Sequence, residues 1–310
     1  MTAPTTTPNL TLYDIAFKPP VESTTCAPNP WKSRYALNFK SIPYKTVWVP
    51  LPDIASVRRS LNVPASRNFA DGKDFHTLPV LTDASIKDCA PIGDSFDIAI
   101  HLQTHYPDAG PSDNTANNNL FPADTPLDFS YSTGQEFYAP LSKRSESDPV
   151  LAAYARFNTH VDAAFSAHVQ LAIHGMPLDP ATAEETKAEF LRRAGMDDWE
   201  ALGVKGEARR PLMESFRGAL EGLAKLWGEN DGPFVRGEEA CYADFIVGGW
   251  LRMMGGMLPG DEWEEVKGWF GGFLGGWMGR WAVWGGCLIY LLWGGDGEWK
   301  GRWNGGMDCG

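Results

Sequence analysis

Leu78-Pro-Val-Leu-Thr-Asp-Ala-Ser-Ile-Lys-Asp-Cys-Ala-Pro-Ile-Gly-Asp-Ser-Phe96 is the stretch that decides the fold of the first third of the chain. Its apolar start predicts a strand, and residues 86–90 are expected to form a second strand that pairs with it across a polar turn. Asp94 and Ser95 are both favourable helix N-caps, and the apolar spacing after them predicts a helix. The stretch therefore predicts a β-hairpin followed directly by a helix.

The segments before this stretch alternate between strand and helix patterns. Residues 10–15 alternate apolar and polar side chains, and residues 44–49 are β-branched or aromatic, so both predict strands. A helix is expected to begin near Pro30, because proline is tolerated in a first helical turn, and a shorter helix is expected at 53–61. The order βαβα followed by ββα predicts a thioredoxin-like α/β domain at residues 9–108, although the order alone also fits other α/β folds.

The second half of the chain has helical periodicity, which predicts an all-α domain at residues 148–268. Residues 109–147 are rich in Pro, Ser, Asp and Asn and predict a connector between the domains, and residues 1–8 predict a disordered arm. The predicted helices of the second domain span 148–175, 181–193, 209–227, 242–254 and 262–269.

The last part of the chain, residues 269–310, differs in composition from both domains. Residues 268–310 contain 15 glycines and 7 tryptophans without a helical or strand period, which predicts an irregular Gly/Trp-rich tail. The segment 269–293 is long enough to span a membrane and has one charged residue, Arg280, but its Gly-Gly pairs disfavour a membrane span. An error in the gene model is the favoured explanation of this tail.

The overall composition indicates a folded protein that acts on small molecules. Hydrophobic residues make up 43% of the chain and charged residues 21%, which is typical of globular proteins and argues against wholesale disorder. The net charge of −12, without a run of basic residues, argues against nucleic acid as a partner. A small-molecule ligand is therefore expected, and an anionic one would need local positive charge.

The cysteines and histidines indicate neither a disulfide framework nor a metal site. The five cysteines lie far apart with no CxxC pair, and the N-terminus lacks the features of a secretory signal, so we predict a cytoplasmic protein in a reducing compartment. The six histidines include helical pairs, but no acidic third ligand has metal-binding spacing beside them. No metal cofactor is predicted.

Six segments in both predicted domains resemble the fungal glutathione transferases related to bacterial β-etherases, and the FuA class most of all. The resemblance covers most of residues 9–268 and implies a glutathione-transferase fold with glutathione as co-substrate. Its segments are 27–40 (APNPWKSRYALNFK), 42–49 (IPYKTVWV), 52–54 (PDI), 74–80 (DFHTLPV), 93–97 (GDSFD) and 242–251 (YADFIVGGWL).

The resemblance implies how glutathione would be bound. Pro79 would be the cis-proline of the site, and the main chain of Leu78 would pair with the cysteinyl part of the tripeptide. Asp94 and Ser95 would hold its γ-glutamyl end at a helix start, where an anion is favoured. The residues alone also fit a trans proline and an ordinary N-cap.

Basic residues on the first helix are candidates for the other carboxylate of glutathione. Lys32 and Lys40 would supply local positive charge there, with Arg34 as a third candidate. Basic residues on a helix are more often solvated, so this assignment carries less weight.

The residue that activates the glutathione thiol is not obvious, because the family commonly has Ser or Cys where this chain has Ala27. Alanine cannot donate a hydrogen bond to sulfur. Cys26 is the first candidate to replace it, followed by Thr25 and by the amide of Asn29, and weak activation is the remaining alternative. Cys26 also fits a thioltransferase, if its pKa is depressed near the helix start, or a loop thiol without a role.

On the helical domain, Tyr154, Asn158 and Phe165 are expected to form the second-substrate pocket, as the domain arrangement of the family implies; a core stripe is the other interpretation. Cys241 and Asp244 stand where the family has a Ser/Thr-x-x-Asp capping box, and the cysteine is expected to cost the helix about 1 kcal/mol.

These residues together predict a glutathione transferase whose thiolate attacks an apolar or aromatic electrophile, expelling a leaving group or opening an ether. Two alternatives remain: a thioltransferase that depends on Cys26, and a non-catalytic ligand carrier or regulator, which Ala27 favours. The sequence also leaves a homodimer open.

Overall fold

The computed structural model describes residues 9–69, 71–110, 118–132, 147–230, 232–281, 290–293 and 299–302. The predicted N-terminal arm, most of the predicted connector and much of the predicted tail lie outside these ranges.

The first domain is built on a three-stranded mixed sheet with the strand order β2-β1-β5. The central strand β1 pairs in parallel with β2 and antiparallel with β5, so Leu12 lies opposite both Thr46 and Leu81. Two short strands, β3 and β4, form a separate antiparallel hairpin. The strands are β1 (Leu10–Ile15), β2 (Tyr44–Val49), β3 (Arg67–Asn68), β4 (Asp74–Phe75) and β5 (Val80–Asp83).

Apart from the four-residue helix Val21–Thr24, which the sequence does not predict, the helices of the first domain follow the predicted order and confirm the βαβα and βα parts of the pattern. The helix expected near Pro30 begins at Pro28, and a turn of 3₁₀-helix, Leu51–Asp53, precedes the third helix. The helices are α1 (Val21–Thr24), α2 (Pro28–Phe39), α3 (Ile54–Ser60) and α4 (Ser95–His105).

The strand expected at residues 86–90 was wrong. After β5 the chain forms consecutive turns, in which the Asp83 carboxylate accepts hydrogen bonds from the main chain and hydroxyl of Ser85, and Asp88 has a φ of 56°. Only Ile92 returns to the sheet, where it exchanges two main-chain hydrogen bonds of 2.8 Å with Leu81. The local polar side chains therefore compete with strand pairing and replace most of it.

The second domain is helical within the described ranges, as predicted. Its first helix ends at Ser166 rather than at Gly175, and two turns of 3₁₀-helix, Val169–Leu171 and Ile173–Gly175, follow it. These turns line the cleft between the domains. The helices are α5 (Pro149–Ser166), α6 (Ala183–Ala194), α7 (Trp199–Leu202), α8 (Arg209–Gly228), α9 (Tyr242–Met257) and α10 (Gly260–Trp281).

The two domains pack together mainly through α2 and α9. Phe39 and Phe245 meet edge to face at 5.5 Å between ring centroids. Gly249 allows the helices to approach closely, because a Cβ there would lie 2.5 Å from the carbonyl oxygen of Pro28. The start of α2 is therefore fixed directly against the helical domain.

The capping box at the start of α9 forms as predicted. Asp244 accepts hydrogen bonds from the main-chain N–H of Cys241 at 2.8 Å and of Val235 at 2.9 Å, and from the Trp227 indole at 3.0 Å. Burial raises the pKa of Asp244 to about 6, and its hydrogen bonds oppose that rise. The carboxylate ties α8, α9 and the loop between them.

The last long helix continues past the position where the sequence predicts an irregular tail. Phe270, Gly271 and Gly272 have φ angles of 55°, 73° and 82°, which kink α10 before it resumes and ends at Trp281. Two further strands, β6 (Tyr290–Trp293) and β7 (Trp299–Arg302), form an antiparallel pair. None of the helices in the described ranges is long and apolar enough to cross a bilayer.

Candidate active site

A cavity of about 170 Å³ lies in the cleft between the two domains. The first domain contributes the end of β1, the start of α2 and the turn after β2. Its lining residues are Ile15, Ala16, Phe17, Ala27, Pro28 and Leu51.

The helical domain closes the other side of this cavity with its 3₁₀ turns and with one face each of α6 and α9. Apolar side chains predominate, and three of them are the flexible, polarisable methionines Met176, Met253 and Met257. Polar groups at this wall come from Asp179, Thr182 and Thr186. The cavity is suited to an apolar ligand with little polar surface.

The start of α2 borders the cavity through Ala27 and Pro28. Ala27 is the N-cap and makes no side-chain capping bond. Of the first three helical residues only Asn29 has a main-chain N–H, because Pro28 and Pro30 have none. The positive end of the helix dipole at this point favours an anion.

The three predicted activating residues do not line the cavity. Thr25 and Cys26 are buried behind it, and the carbonyl of Thr25 accepts a hydrogen bond from the Trp31 indole at 2.9 Å. Cys26 packs against Gly256 of α9, where an added Cβ would lie 3.0 Å from the Cys26 Cβ. Asn29 is half-buried beside the lining residue Pro28.

The structure does not give Cys26 the depressed pKa that the thioltransferase alternative requires. Burial raises the pKa of its thiol to about 12, Arg252 opposes the rise and Asp14 adds to it. Cys26 is 1% exposed. A thiol that is both protonated and buried is a poor nucleophile at neutral pH.

The peptide bond between Leu78 and Pro79 is cis, as the resemblance implies. Leu78 is buried in a small apolar cluster with Leu51 and Val80, and the half-buried Ile15 packs against the same cluster. Since Leu51 and Ile15 also line the cavity, this segment lies beside it.

Asp94 caps α4 and accepts hydrogen bonds from the main-chain N–H of Phe96 at 2.8 Å and of Asp97 at 3.3 Å. Loss of water around the carboxylate raises the pKa of Asp94 to about 6, the charge of Asp97 adds to the rise, and Lys32 opposes it. The ordinary N-cap that the residues alone predict is therefore present. Its carboxylate is also only partly ionised near pH 6.

Ser95 is buried next to the helical domain. Burial raises the pKa of the Tyr242 hydroxyl of α9, the charge of Asp94 adds to the rise, and hydrogen bonding with the Ser95 side chain opposes it. The start of α4 therefore lies at the domain boundary, on the same side of the first domain as the cavity.

Sequence reasoning missed Arg58 on α3. Its guanidinium donates to the carbonyl oxygens of Thr77 at 2.6 Å and Gly93 at 2.9 Å. These are the residues immediately before Leu78 and before Asp94. The only sequence signal was a pair of arginines on a short helix, which ordinarily indicates a solvated face.

His76 was also missed, although it lies within one of the segments that carry the resemblance. It is 6% exposed, and neither ring nitrogen makes a hydrogen bond to a described residue. Burial, and after it the charge of Arg58, lower the pKa of His76, so the ring is neutral at pH 7. The exposed Asp74 carboxylate lies 3.9 Å from Nε2, so the ring nitrogens are open to a further hydrogen-bond partner.

The predicted carboxylate-binding lysines are engaged inside the protein instead. The ammonium of Lys32 is fully buried, 2.6 Å from Asp162 Oδ1 and 2.9 Å from Asn158 Oδ1 on α5. The ammonium of Lys40 donates to the carbonyl oxygens of Pro107 at 3.0 Å and Asn118 at 2.6 Å. Burial lowers the pKa of Lys40 to about 8.

Arg34, the third basic candidate, is paired in the same way. Its Nε donates to Asp14 Oδ2 at 2.7 Å, and its guanidinium lies 4.7 Å from the centre of the Trp48 ring. All three predicted cations therefore have partners inside the protein.

The predicted second-substrate residues lie in the interior of the helical domain. Tyr154 is fully buried, and its hydroxyl lies 2.6 Å from Thr125 Oγ1 and 3.2 Å from the Pro122 carbonyl oxygen. Phe165 stacks on Trp250 with ring centroids 5.5 Å apart. Asn158 is bonded to Lys32, as described above. None of the three lines the cavity, so the core interpretation of this helix face is the one that the structure supports.

Among the described residues, no group of three or more His, Cys, Asp or Glu side chains is arranged to hold a metal ion.

Comparison with known proteins divides the chain in the same two parts. The glutathione S-transferase N-terminal domain family matches residues 27–105, and the glutathione S-transferase C-terminal domain family matches residues 155–284. The glutathione S-transferase-like protein ustS of Aspergillus flavus is 30% identical over 242 residues, which cover 77% of this chain and 77% of that protein.

Solved structures of two further fungi have the same architecture. A glutathione S-transferase of Ceriporiopsis subvermispora, crystallised in complex with glutathione, is 28% identical with a TM-score of 0.68, and the match covers 89% of this chain and 96% of that one. The glutathione transferase FuA2 of Phanerochaete chrysosporium is 26% identical with a TM-score of 0.66, and the match covers 90% and 98% of the two chains.

Proposed function

The chain belongs to the glutathione S-transferase family, and on this premise we propose that it joins the sulfur of glutathione to an apolar or aromatic electrophile held in the interdomain cavity. The observation that carries this proposal is the position of the cavity. It is bordered by the start of α2 and, through Leu51 and Ile15, by the apolar cluster that contains Leu78.

Glutathione is proposed to bind along the first domain, at the cavity's edge. Its cysteinyl main chain would pair with Leu78, as an extended peptide adds to a strand edge. Its γ-glutamyl carboxylate would accept from the Ser95 hydroxyl, and its ammonium would lie near the Asp94 carboxylate.

We assign the glycyl carboxylate of glutathione to His76 in place of Lys32 and Lys40. The two lysines have internal partners, whereas the His76 ring makes no hydrogen bond to a described residue. One ring N–H of His76 can donate to a carboxylate. Arg58 and Arg193 lie close enough to lower the His76 pKa, and the exposed Asp74 carboxylate, 3.9 Å from His76 Nε2, opposes them.

The thiol is proposed to ionise at the start of α2. Ala27 offers no donor, and the buried Cys26 does not line the cavity. The main-chain N–H and the side-chain amide of Asn29 are donors beside the lining residue Pro28, and the helix dipole adds positive potential. Asn29 therefore becomes the first candidate for stabilising the thiolate, ahead of Cys26 and Thr25.

The electrophile is proposed to occupy the apolar cavity. The thiolate would form a new carbon–sulfur bond while the leaving group departs with its electron pair, as halide from a haloarene or as alkoxide from an ether. Ether opening is the finer proposal, since an alkoxide leaving group also needs a proton. Thr182 and Thr186 are the hydroxyl groups at the cavity wall.

Calorimetry with glutathione, followed by assays with chlorodinitrobenzene and with hydroxyethyl disulfide, tests the proposal. We expect a heat of binding and conjugation of the chloroarene, with little activity on the disulfide. Binding without either activity would support the ligand carrier. The absence of any heat at millimolar glutathione would refute the proposal as a whole.

A pair of neighbouring variants tests the activating residue. Asn29→Ala is expected to raise the pKa of bound glutathione by about one unit, measured by thiolate absorbance against pH, because it removes a side-chain donor. The matched Cys26→Ser variant is expected to leave that pKa unchanged. A raised pKa of bound glutathione in Cys26→Ser, with no change in Asn29→Ala, would show that Cys26 stabilises the thiolate.

A cytoplasmic location and a homodimer are also proposed, on the sequence grounds given above. Sedimentation of the purified protein tests the second of these.

A further inference from the structure

Arg58 is a buried cation whose hydrogen bonds go to main-chain carbonyl groups. It is 2% exposed. Besides the bonds to Thr77 and Gly93, its Nη2 donates to the Pro64 carbonyl oxygen at 2.5 Å and its Nε to the same oxygen at 3.2 Å. The planar guanidinium, with five donors in a fixed fork, is therefore shared among three chain segments.

Two of these segments are the ones assigned to glutathione. Thr77 precedes Leu78, which is proposed to pair with the cysteinyl main chain, and Gly93 precedes Asp94, which is proposed to hold the γ-glutamyl end. A single Nη1 atom contacts both carbonyls. The Arg58 Nη1 atom therefore fixes the distance between the two segments.

Gly93 makes this close contact possible. A Cβ at that position would lie 2.6 Å from Arg58 Nη2 and 2.6 Å from Val63 Cγ1. Any larger residue would have to displace the guanidinium or the loop before Asp94.

From this geometry we infer that Arg58 is a positioning residue for glutathione, which holds the Leu78 segment and the Asp94 segment at the spacing of one tripeptide. The inference rests on the proposed function. Arg58 contacts no part of the ligand itself; it pre-organises two main-chain segments, so that less ordering is needed when glutathione binds.

Arg58→Lys is the variant of choice, because lysine keeps the charge but cannot span three carbonyls from one planar group. Arg209→Lys is the matched control. Arg209 is a shielded arginine on α8 that donates to the carbonyl oxygens of Val204 at 2.8 Å and Leu171 at 2.9 Å, and it pairs with Glu262. It does not line the cavity and is not assigned to glutathione.

For Arg58→Lys we expect KM for glutathione to rise about tenfold while KM for the electrophile, at saturating glutathione, changes less than about twofold. Arg209→Lys is expected to lower the thermal midpoint without raising KM for glutathione. In Gly93→Ala the added methyl group would displace the Arg58 guanidinium, so this variant is expected to show the same rise in KM for glutathione as Arg58→Lys. It supplies the test if the lysine variant does not fold.

Equal effects of Arg58→Lys on both KM values, or unchanged glutathione KM in Gly93→Ala, would overturn the inference and leave Arg58 as a structural residue. In both of those cases the wild-type protein still binds glutathione. A wild-type protein that gives no heat with glutathione instead refutes the proposed function, so the two failures are distinguishable.

Discussion

The two sides of the interdomain cleft are built in different ways. The side proposed for glutathione consists mainly of two short segments, 76–79 and 93–95, whose main chain is held by a local cap and by Arg58. The side proposed for the electrophile is assembled from single side chains of β1, α2, α6, α9 and the 3₁₀ turns. A site made of contiguous segments leaves a motif in the sequence, whereas a site made of scattered side chains leaves none.

The difference extends to the cations beside the cleft. Lys32 and Arg58 are both buried, yet Lys32 joins the two domains through Asp162, and Arg58 joins three segments of one domain through main-chain carbonyls. Lys32 is therefore expected to act on stability and Arg58 on affinity. The following predictions test that division.

The largest expected effect is on stability. Lys32→Met removes one partner of the buried pair and leaves the Asp162 carboxylate with the Trp250 indole, at 2.6 Å, and the Asn158 amide as donors. We expect a loss of about 3 kcal/mol in the free energy of unfolding, measured by urea titration, because a buried charge loses its counter-ion.

Lys187→Met is the control, since Lys187 pairs with Glu184 at the surface of α6 and such pairs contribute about 0–1 kcal/mol. If Lys32→Met instead kept wild-type stability and lost glutathione affinity, the carboxylate-binding role expected from the sequence would be restored.

The second prediction concerns the electrophile side. Leu178→Trp adds a larger side chain to the wall of a cavity of about 170 Å³, so KM for the electrophile is expected to rise about tenfold with little change for glutathione. Steady-state kinetics with each substrate varied in turn measures both. A tenfold rise in the glutathione KM alone would place the electrophile elsewhere.

The third prediction concerns Tyr154→Phe, at the second-substrate position that the sequence indicated. Its hydroxyl is bonded to Thr125 and to the Pro122 carbonyl in the interior, so its loss is expected to cost about 1–2 kcal/mol of stability. Both KM values are expected to stay near wild type in kinetic assays. A selective rise in the electrophile KM would show that this tyrosine reaches the substrate.

Much of the fold and one side of the site could be predicted from the sequence, because both depend on contiguous segments. The spacing of Asp94 and Phe96 fixes a cap and a helix locally, so α4 was predicted correctly. The inward face of α5 has the same apolar spacing whether it lines a pocket or a core. Only the packing of α9 and of residues 120–131 against it decides between the two, and periodicity carries no information about that packing.

The roles of the buried cations could not be predicted for a related reason. The sequence shows Lys32 on a helix near an anionic ligand, but it does not show Asp162, which lies 130 residues away and reaches Lys32 only after the domains dock. Arg58 shows the converse case, in which a side chain that looks solvated is buried by carbonyls of three loops. In both cases the partner is non-local, so charge alone could not assign the role.

The fourth prediction concerns pH on the side proposed for glutathione. Because the pKa of Asp94 is raised to about 6, the carboxylate gains a proton as the pH falls through that value and no longer attracts the glutathione ammonium. We expect the Kd for glutathione to rise several-fold between about pH 7.5 and pH 5, and Asp94→Asn to flatten this dependence. A wild-type Kd that is constant over this range would show that Asp94 does not bind the glutathione ammonium.

Affinity, not stability, has to be measured in that experiment. A raised pKa means that the folded protein holds the proton more tightly than the unfolded chain, so Asp94 contributes stability below about pH 4 that is lost as the pH rises through about 6. Asp244 has a pKa of about 6 as well and acts on stability with the same sign. Its hydrogen bonds lie within the helical domain, so it is not expected to change the Kd.

The smallest effect is expected at Cys26, which packs against Gly256 of α9. Because the pKa of this thiol is raised to about 12 and the side chain is buried, iodoacetamide at about pH 7.5 should alkylate it more than tenfold more slowly than Cys89, which is half-buried. Peptide mapping by mass spectrometry separates the two sites in one sample. If Cys26 is alkylated rapidly and glutathione prevents the alkylation, α9 must open and expose this thiol. That result would support the thioltransferase alternative.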